Sequence, residues 1–266
     1  MTRGYKHLFS RALEATSDRL HFAAHSHHYW PDAALEGHAQ AAELAVQLAD
    51  EKWSAIFADV LPAARRHLAS MIGLPDPSGL AFAPNTHELV ARAVSSIEKQ
   101  TPLRVLSTDS EFHSFERQAR RWEEAGRIEV VRVPTEPFDS FDARWMDALR
   151  AEVWDLVYVS QVFFNSGFAH GSLEDLVEAV RETPDTMVIV DGYHGFGAFP
   201  TDLSTMADRI FYTSGGYKYA MAGEGCCFMH CPDGFARRPV NTGWFAGFGE
   251  LAQGVGERVG LSLIHI

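Results

Sequence analysis

The sequence predicts an α/β protein, an α-β-α sandwich on a mostly parallel central sheet. Three observations carry that prediction. Short apolar runs recur at Leu103–Thr108, Ile128–Val133, 155–161 and 186–191, and again after Arg209. They are continuous rather than alternating, the pattern of strands buried on both faces. Helix-favouring stretches with their own capping signals lie between them. The later runs end in polar residues or glycine-softened turns, where open α/β sheets hold their ligands.

Residues 1–20 are polar and mixed, with a short helical look. His21-Phe-Ala-Ala-His25-Ser26-His27-His28-Tyr-Trp-Pro31 reads as a loop entering a helix, with Pro31 at the helix start. From Asp32 to Gly73 the composition favours helix, broken at Pro62. Leu35, Ala39, Ala42, Val46 and Ala49 share one helical face. Leu80-Ala-Phe-Ala-Pro84 is a short strand or approach segment. Asn85 then caps a helix running to about Lys99, with Glu88 completing a capping-box pattern. Its N-terminus, with free N–H groups and the positive dipole end, is a seat for phosphate. After the run at Leu103–Thr108, Asp109-Ser-Glu111-Phe112-His113-Ser114 opens a helix that Gly126 ends. Later helices are expected near 143–152 and, behind the cap Ser172, up to Arg181.

Composition narrows the function. The 266 residues suit one large α/β domain or two small ones, and 46% hydrophobic with 22% charged residues is ordinary for a globular protein. A net charge of −12 without a Lys/Arg cluster argues against nucleic acid. No apolar run approaches the ~20 residues that span a bilayer, and the N-terminus lacks an apolar signal core, so a cytoplasmic protein without membrane contact is expected. Cys226, Cys227 and Cys231 are neighbours that form no disulfide framework. With His230 they suggest a metal site, but small buried strand residues are the better reading.

The chemistry concentrates in residues 186–230. One apolar run ends on Asp191-Gly-Tyr-His194, and the next ends in Ser214-Gly-Gly-Tyr217-Lys218-Tyr. A carboxylate and an amine brought to one crevice suit pyridoxal 5′-phosphate. The lysine joins the aldehyde as a Schiff base, and the acid keeps the ring nitrogen protonated. A run of four histidines, His21, His25, His27 and His28, invites a zinc reading but lacks nearby carboxylate or cysteine partners. No metal site is assigned.

Asp191-x-x-His194, the following Gly-x-x-Pro-x-Asp-Leu and Tyr217-Lys218-Tyr219 resemble the cofactor motifs of class V aminotransferase-like enzymes. That group has the aspartate aminotransferase fold (fold type I) and includes kynureninases and cysteine desulfurases. The resemblance implies Lys218 as catalytic residue, Asp191 on the ring nitrogen and His194 supporting the ring oxygen or Asp191. It implies Phe112 stacking on the ring, with His113 as alternative. Asn85, Thr86, Ser214 and Tyr217 would seat the phosphate, while Ser26 and Trp244 would border an amino-acid substrate. It further implies a homodimer. Phenylalanine at the stacking position and Gly243-Trp244-Phe245 resemble kynureninases, so kynureninase-like cleavage of a carbon–carbon bond is expected first, transamination second and cysteine desulfuration third. Several residues depart from the pattern: Phe115 stands where kynureninases carry aspartate, Phe163 where the family has an asparagine that contacts the cofactor hydroxyl (with Asn165 as its candidate substitute), Gly216 where Ser, Thr or His is usual, and Tyr193 where a small residue is usual. A rival of another class is a non-catalytic binding protein that holds a metal or ligand through the histidines at 21–28.

Residues 1–60 are expected to form an N-terminal segment and helix, and residues 61–260 the cofactor-binding large domain. Leu261-Ser-Leu-Ile-His-Ile266 matches the translation of a transposase mosaic end used in sequencing libraries. It is expected to be a non-native tail, with a small C-terminal domain missing behind it.

Overall fold

The structure, a computed structural model, describes residues 4–99, 102–236 and 238–241. The tail at 261–266 lies outside them. Seven strands form one sheet: β1 (Leu80–Ala83), β2 (Leu103–Thr108), β3 (Ile128–Val133), β4 (Leu156–Ser160), β5 (Met187–Asp191), β6 (Ile210–Gly215) and β7 (Cys227–His230). Their spatial order is β1-β7-β6-β5-β4-β2-β3. The pairs β2/β3, β2/β4, β4/β5 and β5/β6 are parallel, and β7 runs antiparallel to both β6 and β1. The reversal follows from the connection. Residues 216–226 carry no helix, and a parallel return needs a crossover of about a dozen residues or more, usually helical.

Helices α1 (Ser10–Ala15), α2 (Asp32–Leu48), α3 (Lys52–Ala55), α4 (Leu61–Met71), α5 (Thr86–Val94), α6 (His113–Glu124), α7 (Phe141–Ala151) and α8 (Leu173–Ala179) accompany the sheet. The pleat sends alternate side chains to opposite faces. On one face Val157, Val159, Val188, Val190 and Tyr212 join Trp145 and Leu149 of α7 and Leu176 of α8. On the other, Leu156, Tyr158, Ile189 and Phe211 join Leu89 and Val90 of α5 and Phe115 and Ala119 of α6. These are the two helix layers of the sandwich. Each fully buried large apolar side chain contributes roughly 1.5–3 kcal/mol, which is why the central strands tolerate almost no polar residue until their carboxyl ends.

Three expectations change in detail. The helix opened at Asn85 stops at Val94, not near Lys99. The run after Asp32 breaks at Ala49, which takes a positive φ of 47°, and it passes through Pro62. Proline is tolerated there because it sits in the first turn of α4, directly after a wider π turn at Ile56–Val60. Of the three cysteines, Cys227 and Cys231 are buried as expected, whereas Cys226 is exposed in the turn before β7. Among the described residues no helix is long and apolar enough to cross a membrane.

Candidate cofactor cleft

The sheet's carboxyl edge builds the site. Asp191 is the last residue of β5, paired with Ser160 of β4 and Thr213 of β6. Gly192 follows because a Cβ there would overlap the Tyr212 ring. Lys218 lies just beyond β6 in a turn closed by Met221 N–H to Lys218 O (3.1 Å) and Ala222 N–H to Gly216 O (2.8 Å). Both side chains line one cleft, open to solvent, together with Asn85, Thr86, Phe112, Tyr158, Tyr193, His194 and Tyr217.

Asp191 is buried on the cleft floor. Its Oδ1 accepts the Tyr193 N–H (2.9 Å) and its Oδ2 accepts the Tyr158 hydroxyl (3.1 Å). Burial pushes its pKa up, and these hydrogen bonds and Lys218 oppose the shift. Lys218 is 6% exposed. Burial lowers its pKa against the pull of Asp191. Its Nζ lies 2.9 Å from His194 Nε2. His194 is pushed down to about 4 by burial, then by Lys218 and His25. A neutral imidazole thus faces the amine at neutral pH. His194 meets Lys218 and makes no hydrogen bond to Asp191.

The walls come from the sequence segments flagged for them. Phe112 stands at the N-cap of α6 with its ring 5.9 Å from Lys218 Nζ and 6.4 Å from the His194 ring. His113 turns outward, exposed, with its ring edge-on to Phe164 at 5.0 Å. The first turn of α5 brings Asn85, Thr86 and His87 to the cleft. The Asn85 side chain is committed to its cap, accepting the Glu88 N–H (2.9 Å) and donating to Glu88 Oε1 (3.1 Å). Tyr217 lines the cleft and carries the His27 ring stacked on it at 4.8 Å. The His28 N–H donates to Tyr217 O at 2.9 Å, so the N-terminal histidine loop rests on the lysine-bearing turn.

Other expected residues stand apart. Ser214 is fully buried in β6, and its Oγ has no hydrogen-bond partner among the described residues. Strand alternation gives it the face of Tyr212, opposite to that of Asp191, so it does not line the cleft. Ser26 bonds to His27 Nδ1 (3.1 Å) at the loop surface. Asn165 donates to Ser110 Oγ (3.2 Å), and Phe163 is wholly buried in the core. Trp244 lies outside the described residues. The loop histidines pair with aromatic rings, His21 with Tyr29 at 4.3 Å and His28 with Phe9 at 5.5 Å. Among the described residues no group of His, Cys, Asp or Glu converges to hold a metal.

The sequence reading missed Glu111 and Tyr158. Glu111 is 4% exposed and ties β2 to β4. It accepts from Thr108 Oγ1 (2.7 Å) and from Ser160 Oγ (2.6 Å). Burial pushes its pKa up to about 8, and the nearby Asp191 adds to the shift. Nothing in Asp109-Ser-Glu111 distinguishes it from a solvated loop. Only its place at the switch between β2 and β4 shows its burial.

A buried carboxylate and a buried amine at the edge of such a sheet, with an aromatic wall and a helix N-terminus beside them, define the cofactor domain of fold type I pyridoxal-phosphate proteins. The chain belongs to the class V aminotransferase family, whose model matches residues 38–234. It is 31% identical over 189 residues to isopenicillin N epimerase of Streptomyces clavuligerus, covering 68% of this chain and 46% of the relative. Among solved structures it is similar to the cystine C–S lyase C-DES bound to cysteine persulfide (TM-score 0.76, 17% identity, 88% of this chain and 63% of that one). It is also similar to the cysteine desulfurase of Thermococcus onnurineus (TM-score 0.71, 17% identity, 92% and 62%). At that identity the likeness is one of fold. The chain spans 46% of the curated relative and less than two thirds of these solved chains.

Pyridoxal phosphate is the cofactor of this family, and the donor set fits it. Lys218, a buried amine of lowered pKa, would meet the aldehyde, and Asp191, a carboxylate held by two neutral donors, would suit a ring N–H⁺. The first turn of α5 would present its dipole end to the phosphate.

Proposed function

We propose that the complete protein transforms an amino acid by first removing the proton from the carbon bearing its amino group, with Lys218 as the base. The observation that carries this reading is the Lys218 amine, buried and 2.9 Å from His194 Nε2 in the cleft that also holds Asp191. The bound cofactor supplies an electron sink for that carbon. The chain's residues do the rest. Burial lowers the pKa of Lys218 against the pull of Asp191, which favours the neutral amine that a base must be. His194, hydrogen-bonded to Nζ through Nε2, aims it. Asp191, fixed by Tyr158 and the Tyr193 N–H, would supply the negative charge that pairs with the ring nitrogen. Phe112 walls the cleft against water.

Within this reading, kynureninase-like carbon–carbon cleavage is favoured by phenylalanine rather than histidine in the stacking position at Phe112. Inversion at the same carbon is favoured by the 31% identical epimerase. Both begin with the same proton. The working unit is proposed to be a homodimer, because residues 4–68 bury no side chain and expose Tyr5, Leu20, Phe22 and Val46.

The test is α-proton exchange in D₂O. The full chain, loaded with pyridoxal phosphate, is given L-kynurenine, L-alanine and L-cysteine, and the α-proton signal is followed by NMR. Anthranilate, sulfide and chiral analysis of the recovered amino acid separate the finer readings. Exchange that falls by about 10³-fold or more in Lys218→Ala is expected. A chain that borohydride fixes to the cofactor at Lys218, yet exchanges no amino acid offered, overturns the proposal.

A further inference from the structure

Glu111 precedes Phe112 in the chain, does not line the cleft and takes no part in the proton transfer. Burying a carboxyl group this deeply costs free energy that neutral donors offset only in part, and its raised pKa is the sign of it. What the fold gains in return is a link. Thr108 ends β2 and Ser160 ends β4. The backbone ladder between these strands stops at Leu106↔Val157, before either strand ends. Glu111 spans the opening: Oε1 accepts the Thr108 hydroxyl (2.7 Å) and the Ser160 N–H (3.3 Å), and Oε2 accepts the Ser160 hydroxyl (2.6 Å).

Both ends of the link lead to the cleft. Phe112 follows directly as the N-cap of α6, and no side-chain hydrogen bond caps the helix there. Its carbonyl accepts the Phe115 and Glu116 N–H groups (3.0 and 3.2 Å), so the place of residue 112 decides where α6 starts. The Phe112 ring touches Phe164 and His194, and neither contact fixes its backbone. At the other end, Ser160 pairs with Asp191 in the register of β4 with β5. The Glu111 side chain therefore joins the entry of α6 to the strand end beside Asp191.

We propose that Glu111 is a positioning residue of the cleft: it fastens the entry of α6 to Ser160 and so sets the Phe112 wall against the Asp191 floor. The inference rests on the cofactor assignment above and concerns binding rather than the reaction. Glu111 touches neither cofactor nor substrate and acts through Phe112.

The experiment follows the dissociation constant of pyridoxal phosphate and the circular dichroism of its visible band in the full chain at pH 7. Neither readout depends on turnover. Glu111→Gln keeps an acceptor for the Thr108 hydroxyl and offers an amide N–H to Ser160 Oγ, so affinity should stay within about threefold and the band should persist. Glu111→Ala cuts the link, so affinity should fall on the order of 10-fold and the band should weaken. Phe112→Leu alone should cost about as much. The double variant separates positioning from general loosening. If Glu111 acts through Phe112, its removal from Phe112→Leu should cost no more than about twofold further. Losses that multiply across the two sites overturn the proposal, as does an unchanged band in Glu111→Ala. A Glu111→Gln variant as impaired as Glu111→Ala also counts against it, since the link would then not be what matters. Ser160→Ala cuts the same link from the other strand, and it decides the matter where Glu111→Ala does not fold: a weakened band is expected, and a wild-type band sinks the role. Borohydride fixation of the wild type keeps the two readings distinguishable. An adduct at Lys218 with multiplying losses removes only the part given to Glu111, whereas no adduct at Lys218 removes the cofactor assignment with it.

Discussion

Residues 4–68 and residues 69–236 are made of similar amino acids and are used in opposite ways. The first buried side chain in the described chain is Ala69. Before it, α2 has a face of Leu35, Ala39, Ala42 and Val46 without a buried member, and Phe22 and Val46 are 84% and 86% exposed. After it, β4 and β5 are buried at every position. Amphipathic periodicity therefore marks a face that wants covering, not one that its own chain covers. The site belongs to the buried region, and the arm meets its rim through the His27 and His28 contacts with Tyr217 and through His25, which acts on His194.

The sharpest way to break this contrast is through stability. Trp145 has no exposed surface, and Trp145→Ala should cost about 3–5 kcal/mol through the cavity it leaves. Phe22→Ser should change the stability of the monomer by no more than about 0.5 kcal/mol. Chemical denaturation of both variants at several protein concentrations checks this. A concentration-dependent loss confined to Phe22→Ser would show that a second copy covers the arm. A large loss for Phe22→Ser at every concentration would remove the contrast.

A smaller effect concerns charge in the buried region. Glu111 carries a folded-state pKa of about 8 against an ordinary 4.5. The folded protein therefore holds a proton that the unfolded chain gives up earlier. This contribution to stability is fully present below 4.5 and is lost as pH rises toward about 8. His194, pushed down to about 4, has the opposite sign: its contribution is present above 6.5 and lost as pH falls. Between pH 6.5 and 8 Glu111 acts without His194, and there the wild type should lose up to about 3 °C in Tm per pH unit relative to Glu111→Gln. Parallel melting curves for the two proteins across that window would mean that Glu111 is ionised in the fold.

The sheet was legible because parallel strands buried on both faces must be apolar until their carboxyl ends, and β4 to β6 are, whereas the edge strand β3 carries Glu129 and Arg132 and buries only Ile128 and Val133. Asp191 and Lys218 were legible because a charged residue ending such a run has only the carboxyl edge to occupy. What was not legible depended on partners far away in sequence. The direction of β7 follows from a turn without a helix. The burial of Glu111 follows from Ser160, across the switch in strand order. Ser214 shows a third kind of miss, since its nearness to Lys218 in sequence says nothing about the face it takes on β6. The π turn that carries the chain through Pro62 leaves no signature in residue type at all.

The smallest effect tests how the buried region meets its ligand. Asn85 was read both as a helix cap and as a phosphate residue, and the structure commits its side chain to Glu88. Asn85→Ala should cost about 1 kcal/mol of stability by freeing the Glu88 N–H. Asn85→Asp keeps an acceptor for that N–H, and the Glu88 side chain, 41% exposed, has room to turn its carboxylate into solvent, so stability should hold within about 0.5 kcal/mol. However, it sets a negative charge at the cleft rim, where the dipole end of α5 favours an anion. Pyridoxal-phosphate affinity should then fall while the melting temperature does not. If Asn85→Asp leaves affinity unchanged, the phosphate does not sit at this turn, and α5 is a capped core helix whose place at the cleft serves packing alone.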